Sequence, residues 1–258
     1  MKRIIALLLA VIMSTSLVGC GKTMCSIEGC GNEAVTDDSF EEILCSKHLA
    51  NKKAFEASKN AYDNIKAAYE LTDAVGSDLY NGLQIIISIG NVSRMGNGNA
   101  IDILAEECLN LSVEEIKAGL SYSLAKYKYN KSWGELSEED KNEYLKLAEE
   151  YSYKVETNGE NVLFITAWTI IHAHELNNDI NDAQKYLDEA KEQMREISDK
   201  YADYEYYPNL KGYYTTVSAY LDTIVNFKMS FDAYEENYTT YETEARNYRS
   251  DLDFIFEE

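Results

Sequence analysis

Four residues near the amino end have the types and spacing to hold a metal ion. In "CSIEGCGNEAVTDDSFEEILCSKH", residues 25–48, Cys25 and Cys30 form a C-x4-C pair, and fourteen residues later Cys45 and His48 form a C-x2-H pair. Thiolate and imidazole are ligands that zinc prefers, and two close pairs joined by a hairpin-length segment can supply the corners of a closed tetrahedral site. Gly29 and Gly31 flank Cys30 and permit a tight turn that points both sulfurs of the first pair inward. Four protein ligands leave no open position, so the expected role of Zn2+ is structural, and metal trafficking would need a vacant corner.

The elements that must position these ligands are short. "EAV" and "EIL" read as strands around the polar turn "TDDS", and Cys45 and His48 fall at the start of a long helix, three apart, where both can face one ion. Over about 24 residues the pattern resembles small treble-clef-like zinc modules. The competing reading is a disulfide framework, such as a Cys25–Cys30 bond, which suits an exported chain but gives His48 no role. Cys108, among apolar neighbours in a helical segment, reads as a buried free thiol. A module this short has too little apolar area to fold unaided, so either cross-link would supply the missing stability.

Upstream, Lys2 and Arg3 precede ten apolar residues, Ile4 to Met13, and then small and hydroxylated ones, the layout of a secretory signal peptide. That run is about half of what a membrane-spanning helix needs. It ends at Leu17-Val18-Gly19-Cys20, which closely resembles the lipobox of bacterial lipoproteins. The resemblance implies that residues 1–19 are removed, that Cys20 carries acyl chains of the palmitate type, and that the protein sits on the extracytoplasmic face of a membrane. Two or more chains would anchor it stably.

The formal charge is −21, and loss of Lys2 and Arg3 would take it to −23. Such a surface repels phosphate backbones and anionic headgroups, which excludes nucleic acid as a partner. Hydrophobic residues make up 45% of the chain, which argues against disorder. Beyond residue 48 there is one proline, Pro208, and positions spaced alternately by three and four run from Phe55 through Tyr62, Ile65, Tyr69, Leu79, Leu83 and Ile86 to Gly90, apolar except at Ser58, Thr72, Gly76 and Gly90, and again from Leu210 through Phe227 to Ile255. These seams predict helices over 46–90 and 209–255. Between them, capping signals at Ser112 with Glu115 and Ser137 with Asp140 help to place helices over 99–110, 113–130, 138–155, 161–176 and 180–203. Helix 161–176 is apolar nearly all round, as expected of a buried centre. The expected fold is all-α: an elongated helical bundle with two long antiparallel helices, preceded by the zinc module. Its organisation is a signal peptide over 1–19, the lipidated cysteine and module over 20–48, and the bundle over 49–258. Antiparallel pairing of the long helices sets Gly76 opposite Phe227 and position 62 opposite 241, with residues 91–207 at the far end.

"HAHE" offers His172, His174 and Glu175, but residues two apart on a helix point about 200° from each other and cannot readily share one ion. Neither H-E-x-x-H, G-x-S-x-G nor a Walker loop is present. The 21 tyrosines are amphipathic side chains suited to protein or glycan surfaces. Tyr213, Tyr220, Tyr234, Tyr238, Tyr241 and Tyr248 belong to the seam, which leaves Tyr204, Tyr206, Tyr207 and Tyr214, with the loop at 91–99, as the candidate contact region. The sequence therefore points to a lipid-anchored helical binding or scaffold protein of the cell envelope, meeting an extracytoplasmic protein or glycan. The alternative is an envelope hydrolase or transferase with a cleft among the middle helices.

Overall fold

Uninterrupted helical spacing and the absence of proline let one helix run from the second ligand pair deep into the chain: α1 spans Ser46–Val92. The computed structural model describes residues 23–35, 37, 40–92, 100–129, 133–151, 159–201 and 203–257. Along these residues follow α2 (Ala100–Glu107), α3 (Val113–Tyr129), a 3-10 turn at Trp133–Glu135, α4 (Glu138–Tyr151), α5 (Gly159–Leu176), α6 (Asp179–Lys200), α7 (Tyr207–Val225) and α8 (Phe231–Phe256). The fold is an all-α bundle. Its described sheet is β1 (Ala34–Val35) paired antiparallel with β2 (Leu44–Cys45). No helix among the described residues is long and apolar enough to cross a membrane. The chain divides into two compact units between Glu56 and Ala57. The signal segment 1–19, Cys20 and the loop residues 93–99 lie outside the described residues.

In the larger unit the buried stripe of α1 is the common wall. Tyr62, Ile65, Tyr69, Leu79 and Leu83 are buried on it, as the three-four spacing requires. Thr72 is buried on the same stripe and donates its hydroxyl to Ala68 O at 2.7 Å, which removes the cost of an unpaired polar group. The capping signals form as expected. Glu115 N donates to Ser112 Oγ at 3.3 Å while Ser112 N donates to Glu115 Oε2 at 2.7 Å, a reciprocal capping box. Asp140 N donates to Ser137 Oγ at 3.1 Å.

One long helix was expected over 209–255, and the segment instead forms a hairpin. Asn226 closes α7, its backbone N–H donating to Asp222 O, and Ser230 caps α8 by accepting from Ala233 N. The apolar stripe masks this break, because Phe227 in the turn is itself buried. Tyr220 stacks on Tyr241 at 5.8 Å and Thr216 Oγ1 donates to Glu244 Oε2 at 3.4 Å, so α7 and α8 are antiparallel. Both pack on α1, with α8 antiparallel: Tyr62 donates to Asp253, and Tyr80 to Glu235 at 3.0 Å. Position 62 therefore meets 253 rather than 241, and Gly76 receives Tyr220, whose hydroxyl occupies the space of a Cβ. Since α7 runs parallel to α1, the tyrosines at 204–207 lie beside Phe256 and not at the far end of the bundle.

Helices α5 and α6 run one after the other along α1, both antiparallel to it, as the contacts His174–Asp78 and Asn64–Gln193 show. Asn178 joins them at φ 70, a left-handed conformation that asparagine tolerates. The expectation for helix 161–176 holds in its second half, where Thr166, Ala167 and every residue from Thr169 to His174 are buried. Against this face α3 packs closely at Gly119, where a Cβ would fall on Thr169 O and within 2.8 Å of Ala173 N.

That contact gives a test. Alanine in a helix is favoured over glycine by about 1 kcal/mol, but overpacking against backbone costs about 1–3 kcal/mol. Gly119→Ala should therefore lower the free energy of unfolding in urea. Gly82→Ala, where the new methyl meets the Cδ1 end of Ile170 and little else at close range, should be neutral or stabilising. Equal effects of the two substitutions would contradict the close crossing of α3 and α5.

Candidate metal centre

In the smaller unit the four ligands come from three short elements. Ile27 O accepts from Cys30 N at 3.0 Å, closing a turn with Gly29 at φ 77, a conformation open to glycine at its third position. Gly31 needs no such freedom, since Gly29 is the glycine with positive φ among the described residues. The hairpin aligns Ala34 with Cys45 and Val35 with Leu44, close to the strands expected at "EAV" and "EIL". Cys45 ends β2 and His48 lies in the first turn of α1, so a strand-to-helix junction presents the second pair. Ser26 N donates to Ile43 O at 2.7 Å and ties the first pair to the second.

The four ligand atoms lie within 4.8 Å of one another. Cys30 Sγ and Cys45 Sγ are 3.8 Å apart, and His48 Nδ1 is 3.2 Å from Cys25 Sγ and 3.5 Å from Cys45 Sγ. A tetrahedral ion with metal–sulfur bonds of about 2.3 Å and a metal–nitrogen bond of about 2.0 Å sets sulfurs about 3.8 Å apart and sulfur and nitrogen about 3.5 Å apart. These residues can therefore hold a metal ion. Cys25 and Cys45 are buried and Cys30 partly so.

The surroundings favour thiolate at two positions. Burial pushes the Cys25 thiol up, but hydrogen bonds from the backbone at Ile27 and Cys45 and from the side chains of Cys30 and Cys45 together leave the pKa below the ordinary value. The backbone N–H of His48 does the same for Cys45. At Cys30 a backbone donor from Asn32 is outweighed by burial and by the neighbouring sulfurs, and the pKa rises. Coordination requires deprotonated sulfur, and the backbone donors stabilise that form.

The remaining candidates are placed differently. Tyr204, Tyr206, Tyr207 and Tyr214 are half-buried; Tyr204 and Tyr206 meet edge to face at 5.5 Å. They form no exposed aromatic patch. Tyr214 lines a shallow groove between α6 and α7 with Gln184, Thr215, Ser218 and Asp222.

The rings of "HAHE" face different helices. His172 lies 2.8 Å from Ser123 Oγ, and its Nε2 accepts from Lys126 Nζ at 3.4 Å. Burial and the Lys126 charge push its pKa down to about 3. His174 is fully buried between two carboxylates, Asp179 at 2.6 Å from Nδ1 and Asp78 at 3.2 Å from Nε2. Both nitrogens can donate only as imidazolium, and although burial opposes the charge, these two acids raise its pKa above the ordinary value. Asp78, also fully buried, accepts from Asn110 Nδ2 at 3.2 Å and Asn110 N at 3.3 Å. The sequence reading missed Asp78, Asp179, Ser123 and Lys126. Asp78 precedes Leu79 in the seam and carries no local sign that its partners lie on other helices.

The two histidines act oppositely with pH. His174, raised on folding, contributes stability that is complete below the unfolded value near 6.5 and is lost as pH climbs through its folded value; His172, depressed on folding, costs stability as pH falls below about 6.5. Removing one member of a buried charge pair costs about 3–5 kcal/mol. His174→Gln should therefore destabilise most near pH 6 and progressively less on the alkaline side in urea denaturation. His172→Gln should flatten the loss on the acid side. A pH-independent effect of His174→Gln would refute its role as a buried cation.

The chain matches no family model, no curated protein and no solved structure, so its function is read from its own side chains.

Proposed function

We propose that this is a lipid-anchored protein of the cell envelope. Its amino-terminal unit is closed by a structural Zn2+ on Cys25, Cys30, Cys45 and His48, and its helical bundle serves as a binding or scaffold surface. The observation that carries the reading is the close approach of the four ligand atoms, within 4.8 Å of one another. Three soft sulfurs and one imidazole select zinc over the hard divalent cations. Four protein ligands describe a closed, structural site. The anchor rests on the Leu17-Val18-Gly19-Cys20 motif, in which Cys20 carries the lipid. Binding of an extracytoplasmic protein or glycan is supported by the groove at Tyr214, where the aromatic residue and the aliphatic Ala219, Leu221 and Val225 adjoin the polar Gln184, Ser218 and Asp222, an apolar lining with a few polar groups of the kind that ligand sites use.

Metal removal tests the first part. Structural zinc contributes on the order of 10 kcal/mol to folding of small modules. The purified protein should carry one zinc, and a chelator should expose residues 23–48 to hydrogen exchange while most helical circular dichroism survives. Metal-free protein with a Cys25–Cys30 bond in mass spectrometry would establish the disulfide framework instead.

Substitution of Cys20 tests the anchor. Cys20→Ala should leave the protein unprocessed or release it from the membrane fraction. A variant that is processed normally and still acylated would remove the lipid from this residue.

A further inference from the structure

Among its described residues the smaller unit exposes more large apolar side chains than it buries. Met24, Ile27, Val35 and Ile43 are 50%, 45%, 41% and 48% exposed, whereas the buried hydrophobic residues of the cluster around the metal ligands are Cys25, Leu44 and Cys45. Apart from Phe55 on α1, 37% exposed, the exposed large apolar side chains of this unit lie on the segments that carry the metal ligands. Met24 stands opposite Glu33, two residues before Val35, so Met24 and Val35 are diagonal neighbours on one face of the ribbon, which the exposed Glu33 shares with them. The hydrogen bond from Ser26 N to Ile43 O sets the backbone of Ile43 against Ser26, the residue before Ile27. Exposed apolar residues at this density mark a contact surface.

The length of chain before Met24 decides what covers them. Cys20 is four residues away, and a fully extended chain spans at most about 3.6 Å per residue, so Met24 lies within about 14 Å of the acylated residue. The headgroup layer is about 5–7 Å deep on each side of the hydrocarbon. A unit on so short a tether cannot leave the bilayer surface.

We infer that Met24, Ile27, Val35 and Ile43 form a membrane-contact surface that inserts into the headgroup and upper acyl region of the bilayer holding the Cys20 lipid. This inference rests on the lipid-anchor reading and adds a second point of attachment to it. The contact is apolar rather than electrostatic: Glu28, Glu33, Glu41 and Glu42 are exposed on the same unit and would be repelled by anionic headgroups. The contact therefore persists at high salt, unlike that of a basic patch.

The test uses the acylated full-length protein in phosphatidylcholine vesicles containing a phospholipid with a diazirine near the carboxyl end of one acyl chain. Mass spectrometry first establishes the acyl group on Cys20 and then maps photo-cross-links. The expected result is cross-linking at these four side chains, unchanged by high salt and reduced several-fold in an M24Q/I27Q/V35Q/I43Q variant that keeps the wild-type metal content. Acylated protein with no cross-link at any of the four would overturn the membrane contact, leave the anchor standing and reassign the surface to a protein partner. Absence of the acyl group would overturn the anchor reading, and the membrane contact with it.

Discussion

A short polypeptide that buries little more than a leucine and two cysteines around its hairpin cannot hold that hairpin by the hydrophobic effect. Full burial of a leucine contributes about 1.5–3 kcal/mol, while ordering each residue costs about 1–2 kcal/mol of backbone entropy. The deficit has to be met by a cross-link, and Cys25, Cys30, Cys45 and His48 lie close enough together to hold a metal ion that would meet it. The local architecture follows from that constraint. The turn at Gly29 directs the first pair, and the hairpin brings its end back beside it. The first turn of α1 delivers His48 three residues after Cys45.

The bundle solves a different problem, how to fill a helical interior with tyrosine. Tyr62, Tyr213, Tyr220 and Tyr234 are fully buried, and their hydroxyls meet different fates. Tyr62 reaches Asp253 and Tyr234 donates to Gly76 O at 3.0 Å, while the hydroxyls of Tyr213 and Tyr220 have no protein partner. A ring keeps its apolar contribution when its hydroxyl goes unpaired, at a cost of about 1–3 kcal/mol. Placing Gly76 against Tyr220 shows how the larger ring is accommodated. On the other side of α1, the His174 pair with Asp78 and Asp179 joins three helices by charge, so α5 and α6 have a fixed register along α1 that apolar packing alone specifies less sharply.

What was legible in the sequence was local. The ligand spacing, the Ser112–Glu115 capping box and the burial of the stripe through Tyr62, Leu79, Tyr213 and Tyr234 all depend on residues a few positions apart. The turn at 226–230 was hidden because Phe227 continues the helical spacing of apolar residues; the capping chemistry of Asn226 and Ser230 was its only mark. Missing that turn moved the register of the long pair and put the tyrosines at 204–207 at the wrong end. Asp78 was illegible for a deeper reason. Nothing within its own helix distinguishes a buried aspartate with a distant histidine from a solvated one.

The account stands on the metal centre, and X-ray absorption at the zinc edge of the purified, full-length protein tests it most directly. It predicts three sulfur ligands at about 2.3 Å and one nitrogen at about 2.0–2.1 Å, with loss of one sulfur in Cys45→Ser. A zinc shell of oxygen and nitrogen alone would show that the metal sits elsewhere and that these four residues serve another purpose.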